Sequence, residues 1–442
     1  MKVREFVLLN IVLPLAEKLQ GTCASKWYKQ IVKMQTWSSD EVQDWQMEKM
    51  HQFINHAYEH TVYYRNLFDS LKLTPDDIQT PEDLKKLPVL SKDDIRSHYQ
   101  EFIADDADKY KHREGKTGGS TGEPLQYICD EEVWGYITGT RIFSWRTTPY
   151  RYGDKFVALG SSSLFQKSPS FVRKIYDKIR NEVPLNSMAM TDDIMQRYID
   201  RILREDIHYI YGYASSIYLL AKYAYSHSIN MSSIKGVYTT SENLTVVYRD
   251  MIEKAFGCRV MDCYGSRDAG VVAYEITPGM MNVGYNTILE VVNEFDDGAG
   301  TLLSTNVLNN VFPLIRYDFG DMAKLGVDDS YNGQVITKVY GRISDVLRLD
   351  NGHVLTSPGF TILMRNFDVV AYDIQKVSGL EIRVVIQPVI GKYDEIQERI
   401  LLSEMQRFAG EDCKVLIEHV DHFEPLKNGK RRYFMNDVTV NC

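Results

Sequence analysis

Short apolar runs that end at or near glycine alternate with segments of helical periodicity through the middle of the chain. The runs lie at 156–160, 207–213, 236–240 and 260–265, and the helical segments between them lie at 192–206, 217–226 and 244–256. Short runs bounded by turn residues are typical of buried strands, and strands that alternate with helices are typical of a sheet with helices packed on it. The pattern predicts an α/β domain.

The pattern differs on either side of this region. Residues 38–77 are rich in helix formers, with Ser38 as an N-cap, and Pro81 occupies the first position of another predicted helix. Residues 288–341 indicate antiparallel strands joined by Asp-Gly and Asn-Gly turns, and a hairpin about Asn351-Gly352 follows. The prediction is α/β: a large N-terminal domain (1–341) with mixed sheets and a strand-rich subdomain, then a small α+β C-terminal lobe (342–442). In that lobe, predicted strands at 383–387 and 415–418 flank a helix at 394–408.

Composition narrows the function classes. The chain has 442 residues, of which 44% are hydrophobic and 25% charged, as in ordinary globular proteins. Its net charge is −9 and it has no long basic run, so nucleic-acid binding is not expected. Six scattered cysteines without C-x-x-C spacing favour a cytoplasmic protein without a disulfide framework. The apolar N-terminal run at 6–16 is too short to span a bilayer and predicts a packing helix, with peripheral membrane contact as the alternative.

The segment 116–124 reads Lys-Thr-Gly-Gly-Ser-Thr-Gly-Glu-Pro. Its glycines let the backbone approach a ligand closely, so amide groups and the hydroxyls of Thr117, Ser120 and Thr121 can converge on phosphate oxygens around Gly122. The order differs from a Walker A loop, because Ser-Thr precedes the last glycine and no lysine follows it. Taken alone, such a segment is more often a plain turn or linker, so the motifs downstream decide its meaning.

Further motifs follow this loop in a fixed order: Thr240-Ser241-Glu242, Tyr264-Gly265-Ser266-Arg267-Asp268, Arg316-Tyr317-Asp318-Phe319-Gly320-Asp321, Gly341-Arg342-Ile343-Ser344-Asp345 and Pro425-Leu426-Lys427-Asn428-Gly429-Lys430. Together they resemble the adenylate-forming superfamily of acyl-CoA synthetases, adenylation domains and luciferases. The resemblance is strongest to its phenylacetate–CoA ligase branch, which includes CapK-like capsular polysaccharide biosynthesis proteins. It extends from about residue 40 to the C-terminus.

The resemblance implies an AMP-forming ligase with ATP and Mg²⁺ as cofactors. A carboxylate would attack the α-phosphate of ATP to give an acyl-adenylate and pyrophosphate, and a thiol or amine would then take the acyl group. Coenzyme A is the first expectation for the acceptor, and an amine on a sugar in cell-surface polysaccharide assembly is the alternative. A nucleotide-binding protein without catalysis is the third hypothesis, because the metal and phosphate motif departs from the family pattern at Arg267 and Asp268.

The resemblance also implies roles for single residues. Asp321 would accept hydrogen bonds from the ribose hydroxyls, and Arg342 would bind near the α-phosphate. The corresponding structural alternatives are a turn aspartate and a surface ion pair. The remaining nucleotide-binding candidates are Thr117, Ser120, Thr121 and Gly122 at the phosphates, Tyr264 against adenine, and Ser241, Glu242, Cys263, Gly265 and Ser266 around it.

The resemblance also implies roles in metal binding or catalysis for three further positions. Asp268 replaces the usual glutamate as the predicted Mg²⁺ ligand, and Arg267 stands where the family has threonine or serine. Lys430 matches the catalytic lysine, which stabilises charge at the α-phosphate. Lys427 is its rival, and a solvated basic tail is the structural alternative. Asp345 matches the hinge of the mobile lobe, and the segments 134–145 and 211–216 are candidates for the acid pocket.

Overall fold

The fold is taken from a computed structural model, which describes residues 3–117, 125–160, 180–187, 190–242, 244, 246–294, 298–328, 330–342, 346–351, 354–356, 363–364, 367–421 and 434–435. The chain divides into two units. Unit 1 consists of Met1–Thr117, Gln126–Phe319 and Lys324–Lys338, and unit 2 consists of Gly118–Leu125, Gly320–Ala323 and Val339–Cys442.

The N-terminal segment packs onto unit 1, as its apolar pattern predicts. Leu9 and Leu13 are buried, and the buried Glu5 carboxylate lies 3.1 Å from the Arg146 guanidinium. None of the described helices is long and apolar enough to cross a membrane. The segment consists of the α-helix Val3–Val7, the π-helix Leu8–Val12 and the α-helix Leu13–Gln20.

A capping box starts the 22-residue helix Ser39–His60. The backbone N–H of Glu41 donates to Ser38 Oγ at 3.2 Å, and Glu41 Oε2 accepts from the Ser38 N–H at 2.8 Å, which satisfies two backbone donors at the helix start. The element at Pro81 is a short 3₁₀-helix. The other helices of this region are Ala24–Met34, Val62–Leu71 and Lys92–Ser97, with 3₁₀-helices at Pro75–Asp77, Pro81–Lys86, Tyr99–Phe102 and Ala107–Lys109.

The described strands are β1 (His112–Lys116), β2 (Gln126–Asp130), β3 (Phe156–Gly160), β4 (Glu182–Asn186), β5 (Tyr209–Tyr213), β6 (Gly236–Thr240), β7 (Val260–Ser266), β8 (Val271–Thr277), β9 (Met280–Val283), β10 (Thr287–Val292), β11 (Ala299–Asn306), β12 (Tyr317–Asp328), β13 (Tyr331–Arg342), β14 (Val346–Arg348), β15 (Val354–Thr356), β16 (Val369–Ser378), β17 (Glu381–Pro388), β18 (Lys414–His419) and β19 (Phe434–Met435). Eleven of them form one mixed sheet in the order β10-β11-β12-β13-β9-β8-β7-β6-β5-β3-β4.

Five neighbouring strands of this sheet, β4-β3-β5-β6-β7, are parallel. The pairs β7–β8, β8–β9, β9–β13 and β10–β11 are antiparallel. The mixed sheet therefore confirms the predicted α/β class. The sequence pattern did not predict β8, β9 or β12, which complete the antiparallel half.

Both faces of the parallel strands are covered. Val157 and Leu159 pack among three helices on one face, whereas Phe156 and Ala158 pack around Trp145 on the other, as the two-residue period of a strand requires. The indole of Trp145 stacks on the ring of Tyr238, with 4.3 Å between ring centroids. The three helices are Asp192–Arg204, Ala214–Ser226 and Val246–Phe256, and Trp145 ends the helix Glu131–Trp145 on the opposite face.

Unit 2 contains a second sheet, in the order β18-β17-β16-β19. The helix Glu395–Ala409 contributes Leu401 and Met405 to a core with Ile382 and Ile386 of β17, and all four side chains are fully buried. The predicted hairpin is confirmed by the antiparallel pair β14–β15. β13 runs from unit 1 into unit 2, close to the predicted domain boundary.

Candidate active site

Two predicted nucleotide motifs lie at the carboxyl ends of parallel strands. In the sheet register Gly212 of β5 is paired with Thr239 of β6, and Thr240 is paired with Cys263 of β7. Ser241 directly follows β6, and Tyr264 lies on β7 beyond that pairing. The carboxyl edge of an open α/β sheet is the usual place for a ligand site.

A cavity of about 310 Å³ lies at this edge, within unit 1. It is walled by the carboxyl ends of β6 and β7, by β8 and by the helix Glu131–Trp145. It brings together five predicted nucleotide-binding residues: Ser241, Cys263, Tyr264, Gly265 and Ser266. It also includes residues from both segments that were predicted to form the acid pocket: Trp134, Gly135, Ile137, Thr138, Thr140, Arg141, Ser144 and Tyr211. The volume suits a small organic ligand.

The Thr240-Ser241-Glu242 motif has an unusual backbone. Ser241 has a φ of +66°, a left-handed conformation that costs a residue with a side chain roughly 1 kcal/mol or more. The Glu242 carboxylate accepts a hydrogen bond from the backbone N–H of Ser215 at 2.8 Å, in the first turn of the helix Ala214–Ser226. A carboxylate is stabilised at a helix N-terminus, so this contact connects the motif to the neighbouring strand-to-helix turn.

Asp268 is oriented by two hydroxyl groups. Ser266 Oγ donates to its Oδ1 at 2.7 Å, and the Tyr317 hydroxyl donates to its Oδ2 at 2.8 Å. These two contacts fix the orientation of the carboxylate. Each carboxylate oxygen can accept more than one contact, so both oxygens retain acceptor capacity for a hydrated cation.

A buried carboxyl group lies directly beneath these motifs, and sequence reasoning missed it. Asp262 Oδ1 accepts hydrogen bonds from Thr239 Oγ1 at 2.6 Å and from the Cys263 N–H at 3.1 Å. Burial, together with the nearby Glu275, raises the pKa of Asp262 to about 7. The nearest cation, Arg249, forms a two-oxygen ion pair with Glu275 at 2.7 Å. Asp262 is therefore largely protonated below neutral pH.

Charged side chains surround Trp134 at one end of the cavity. The guanidinium carbons of Arg267 and Arg113 lie 5.6 Å and 5.9 Å from its ring centroid. Arg113 also pairs with Glu131, with Nε 3.0 Å from Oε2. Burial raises the pKa of Glu131 to about 7, although Arg113 opposes that rise. Arg267, the departure from the family pattern, thus lies on the cavity wall.

The arginine of the Arg316–Asp321 motif has a structural role. Arg316 is 7% exposed, has a φ of +54°, and its guanidinium is 3.0 Å from the buried Glu290 carboxylate. It also donates to the backbone carbonyl of Leu87. These contacts connect the segment before β12 to the Leu87–Leu90 loop of unit 1.

The remaining predicted site residues lie elsewhere in the fold or outside the described residues. Asp321 is half-buried on β12 and belongs to unit 2, and Thr117 is half-buried after β1. Arg342 is the last residue of β13, and only its backbone is described. Outside the described residues lie Ser120, Thr121 and Gly122 of the glycine loop, the hinge candidate Asp345, and both Lys427 and Lys430. The roles of all these residues stay predictions.

A second cluster of potential metal ligands lies away from the cavity residues. His56, His60 and Asp106 place one ligand atom each within 4.8 Å of one another. Each histidine already has a protein partner: His60 Nδ1 lies 2.7 Å from Asp105 Oδ1, and His56 Nε2 lies 3.1 Å from the Asn310 carbonyl oxygen. Burial lowers the pKa of His56. These contacts explain the cluster as packing between the end of the long helix and its neighbouring loops.

Comparisons with known proteins agree with the motifs. No protein-family model matches the chain. Protein CapK of Staphylococcus aureus is 23% identical over 423 residues, covering 93% of this chain and 92% of that protein. The phenylacetate–coenzyme A ligase of Escherichia coli strain K12 is 25% identical over 353 residues, covering 73% of this chain and 76% of that protein. These similarities confirm the resemblance to CapK and the phenylacetate–CoA ligases that the motifs predict.

Solved structures of adenylate-forming ligases have the same fold. A 2-hydroxyisobutyryl-CoA ligase, crystallised in the postadenylation state with an acyl-AMP ligand, superposes with a TM-score of 0.66 at 17% identity, and 92% of each chain is covered. At this identity the match concerns the fold. Because the coverage is nearly complete, the fold resemblance includes residues of both units.

Proposed function

We propose that this protein is an AMP-forming carboxylate ligase. In the first step, a carboxylate oxygen of the acid attacks the α-phosphorus of ATP, the bond from that phosphorus to the bridging oxygen breaks, and pyrophosphate leaves. In the second step, the sulfur of coenzyme A attacks the acyl carbon, the carbon–oxygen bond to AMP breaks, and the thiol proton passes to solvent. The products are an acyl thioester, AMP and pyrophosphate.

The observation that carries this proposal is the single cavity shared by two sets of residues. The nucleotide candidates of β6 and β7 line one wall, and side chains of the helix Glu131–Trp145 line another. An acyl-adenylate needs this arrangement, because its mixed anhydride joins the nucleotide to the acid. Similarity to CapK over nearly the whole chain, and to a phenylacetate–CoA ligase over about three quarters of it, supports the same conclusion.

The nucleotide would be held from several sides. Tyr264 would pack against adenine, with Ser241, Glu242, Cys263 and Gly265 around the base, since an aromatic face suits any flat heterocycle. The glycine loop with Thr117, Ser120, Thr121 and Gly122 would hold the β- and γ-phosphates through backbone N–H groups and hydroxyls. Asp321 would accept from the ribose, and Arg342 and Lys430 would contact the α-phosphate.

Asp268 is the proposed ligand of a magnesium ion bound with ATP. Carboxylate oxygens are what Mg²⁺ prefers, and this ion commonly keeps several waters, so the side chain, one methylene shorter than glutamate, can act through water. The two hydroxyl donors on Asp268 would hold the carboxylate in a fixed orientation. The bound ion would neutralise phosphate charge during the first step.

Coenzyme A is the proposed acceptor, and an amine is the second candidate. The second candidate rests on the similarity to CapK, which covers 92% of that protein. Amide formation on a sugar in capsular polysaccharide assembly would use the same first step, with nitrogen in place of sulfur as the attacking atom.

Acid-dependent exchange of labelled pyrophosphate into ATP tests the proposal. A panel of small carboxylic acids should include some that support exchange, and Tyr264→Ala should raise the KM for ATP about 5- to 150-fold through lost base stacking. Tyr225→Ala, which changes an exposed tyrosine, is the matched control and should leave KM unchanged. Exchange without added acid, or equal effects of the two substitutions, would contradict the proposed site.

A further inference from the structure

Among the described residues, Arg141 is a cation of the cavity wall without an acidic partner, as is Arg267. The guanidinium carbon of Arg141 lies 5.9 Å from the ring centroids of both Trp145 and Tyr211. Within the described part of the chain, that guanidinium forms no ion pair and donates no hydrogen bond. By contrast, Arg180 lies 2.7 Å from Glu182, and Arg113 pairs with Glu131. The aromatic rings hold the Arg141 cation by cation–π contacts and leave its N–H donors for a ligand.

Two further donors in the same wall lack partners among the described residues. The hydroxyl of Thr140 and the indole N–H of Trp134 are both buried without a hydrogen bond, and Thr140 is only 1% exposed. An unsatisfied buried polar group costs free energy unless a ligand or water supplies the missing contact. The cavity therefore contains unmet hydrogen-bonding capacity as well as an uncompensated positive charge.

The net charge of the cavity wall is opposite to that of the protein. Four arginines and two glutamates line it: Arg113, Arg141, Arg180, Arg267, Glu131 and Glu182. The whole chain has a net charge of −9. ATP phosphates account for positive charge near the nucleotide motifs, where Arg267 lies beside Trp134.

Arg141 enters the cavity at a different level from Arg267, although it is close enough to act electrostatically on the thiol of Cys263. Arg141 follows Trp134 by seven residues on the helix, a distance of about 10 Å along the axis. Tyr211 precedes the last residue of β5 by two positions, so it lies roughly 7 Å below the carboxyl edge of the sheet. The Arg141 guanidinium thus occupies the inner end of the cavity, away from the edge at which Ser241 and Tyr264 lie.

We propose that the acid substrate carries a second anionic group, which the Arg141 guanidinium binds at the inner end of the cavity. This inference rests on the proposed function, because it treats the cavity as the acid site of the ligase. One carboxylate would react at the carboxyl edge. The second group, a carboxylate at the far end of a short aliphatic or aromatic diacid, would pair with Arg141, and Thr140 would be available to donate to it.

Matched pairs of acids test the inference. The pairs are adipate with its monoamide and 4-carboxyphenylacetate with 4-carbamoylphenylacetate, which differ in charge and hardly in shape. Pyrophosphate exchange in the wild-type protein should favour the dianionic member by about 10- to 100-fold in kcat/KM, the effect of one charge-assisted hydrogen-bonded pair. Arg141→Gln should remove the preference while retaining activity with the monoamides, and Arg141→Lys should keep part of it.

Arg197→Gln, on the exposed face of the helix Asp192–Arg204, is the control and should leave the preference unchanged. A wild-type preference for the neutral members, or a preference that survives Arg141→Gln, would overturn the inference and leave the ligase proposal standing. Lack of exchange with every acid would contradict the ligase proposal instead. Thermal stabilisation by the diacids then decides the anion site independently: a shift in the wild-type protein that Arg141→Gln abolishes supports it, and equal shifts in both overturn it.

Discussion

Replacing Asp262 by asparagine should flatten the pH dependence of stability. The folded protein holds this carboxyl at a pKa of about 7, against an ordinary value of 3.8, because it is buried and Glu275 is nearby. Asparagine can keep the acceptor for Thr239 Oγ1 and the Cys263 N–H, while its amide replaces the protonated oxygen. The substitution therefore removes an ionisable group and leaves the hydrogen bonds.

The sign follows from proton linkage. Between about pH 4 and pH 7 the unfolded chain has lost the Asp262 proton while the folded chain keeps it, so the unfolding free energy falls as pH rises through this window. The full contribution is present below the unfolded pKa and is lost once the pH exceeds about 7. Each pKa unit corresponds to about 1.4 kcal/mol, so the wild-type protein should lose roughly 3 kcal/mol from this group between pH 5 and pH 8.

Urea unfolding followed by tryptophan fluorescence at pH 5 and pH 8 measures the effect. Other raised carboxyl groups, such as Glu131, titrate in both proteins and cancel in the comparison. Asp250→Asn, on an exposed helix position, is the control and should follow the wild-type pH dependence. An unchanged pH dependence in Asp262→Asn, or an equal loss of stability at both pH values, would show that Asp262 is an ionised, stabilising carboxylate and would refute the reasoning.

Three further substitutions have definite expected outcomes. Gly212→Ala should destabilise unit 1 by about 1–3 kcal/mol or more, since its Cβ would overlap the Leu159 carbonyl oxygen and lie 2.9 Å from that carbonyl carbon; a thermal unfolding midpoint equal to wild type would contradict this. Lys430→Ala should slow pyrophosphate exchange by about 10²- to 10³-fold without unfolding the protein, whereas Lys427→Ala should not; equal rates in the two variants would remove the assignment. Asp268→Ala should raise the Mg²⁺ concentration needed for half-maximal exchange more than it raises the KM for ATP, with Asp268→Glu tolerated; an unchanged Mg²⁺ midpoint would leave Asp268 a structural aspartate.

The sequence predicted the parallel strands because their apolar runs are short and end close to turn residues. It predicted the start of the helix Ser39–His60 because the capping box is a local interaction between Ser38 and Glu41. It did not predict β8 and β9, which pair antiparallel with each other and join β7 on one side and the distant strand β13 on the other. Nor did it predict that Pro81 begins a 3₁₀-helix.

The site was predictable as a set of motifs but not as a cavity. Residue spacing placed Ser241 and Tyr264 at strand ends, because parallel strands bring their carboxyl ends to one edge. The raised pKa of Asp262 depends on its burial between strands. Whether Arg141 has a carboxylate partner among the described residues depends on which acidic side chains the fold brings next to its guanidinium. Neither property has a local signal in the sequence. Arg316 is the opposite case. It belongs to a family motif in the sequence, but in the fold its guanidinium forms an ion pair with Glu290.

Oxygen transfer from acid to nucleotide tests the formation of an acyl-adenylate most directly. An acid that supports pyrophosphate exchange would be prepared with ¹⁸O in its carboxylate and incubated with the protein, ATP and Mg²⁺, with hydroxylamine as the acyl acceptor. If the carboxylate attacks the α-phosphorus and the acyl carbon–oxygen bond then breaks, the AMP released should carry one ¹⁸O, as measured by mass spectrometry. Unlabelled AMP, or release of ADP with the label in inorganic phosphate, would contradict the account.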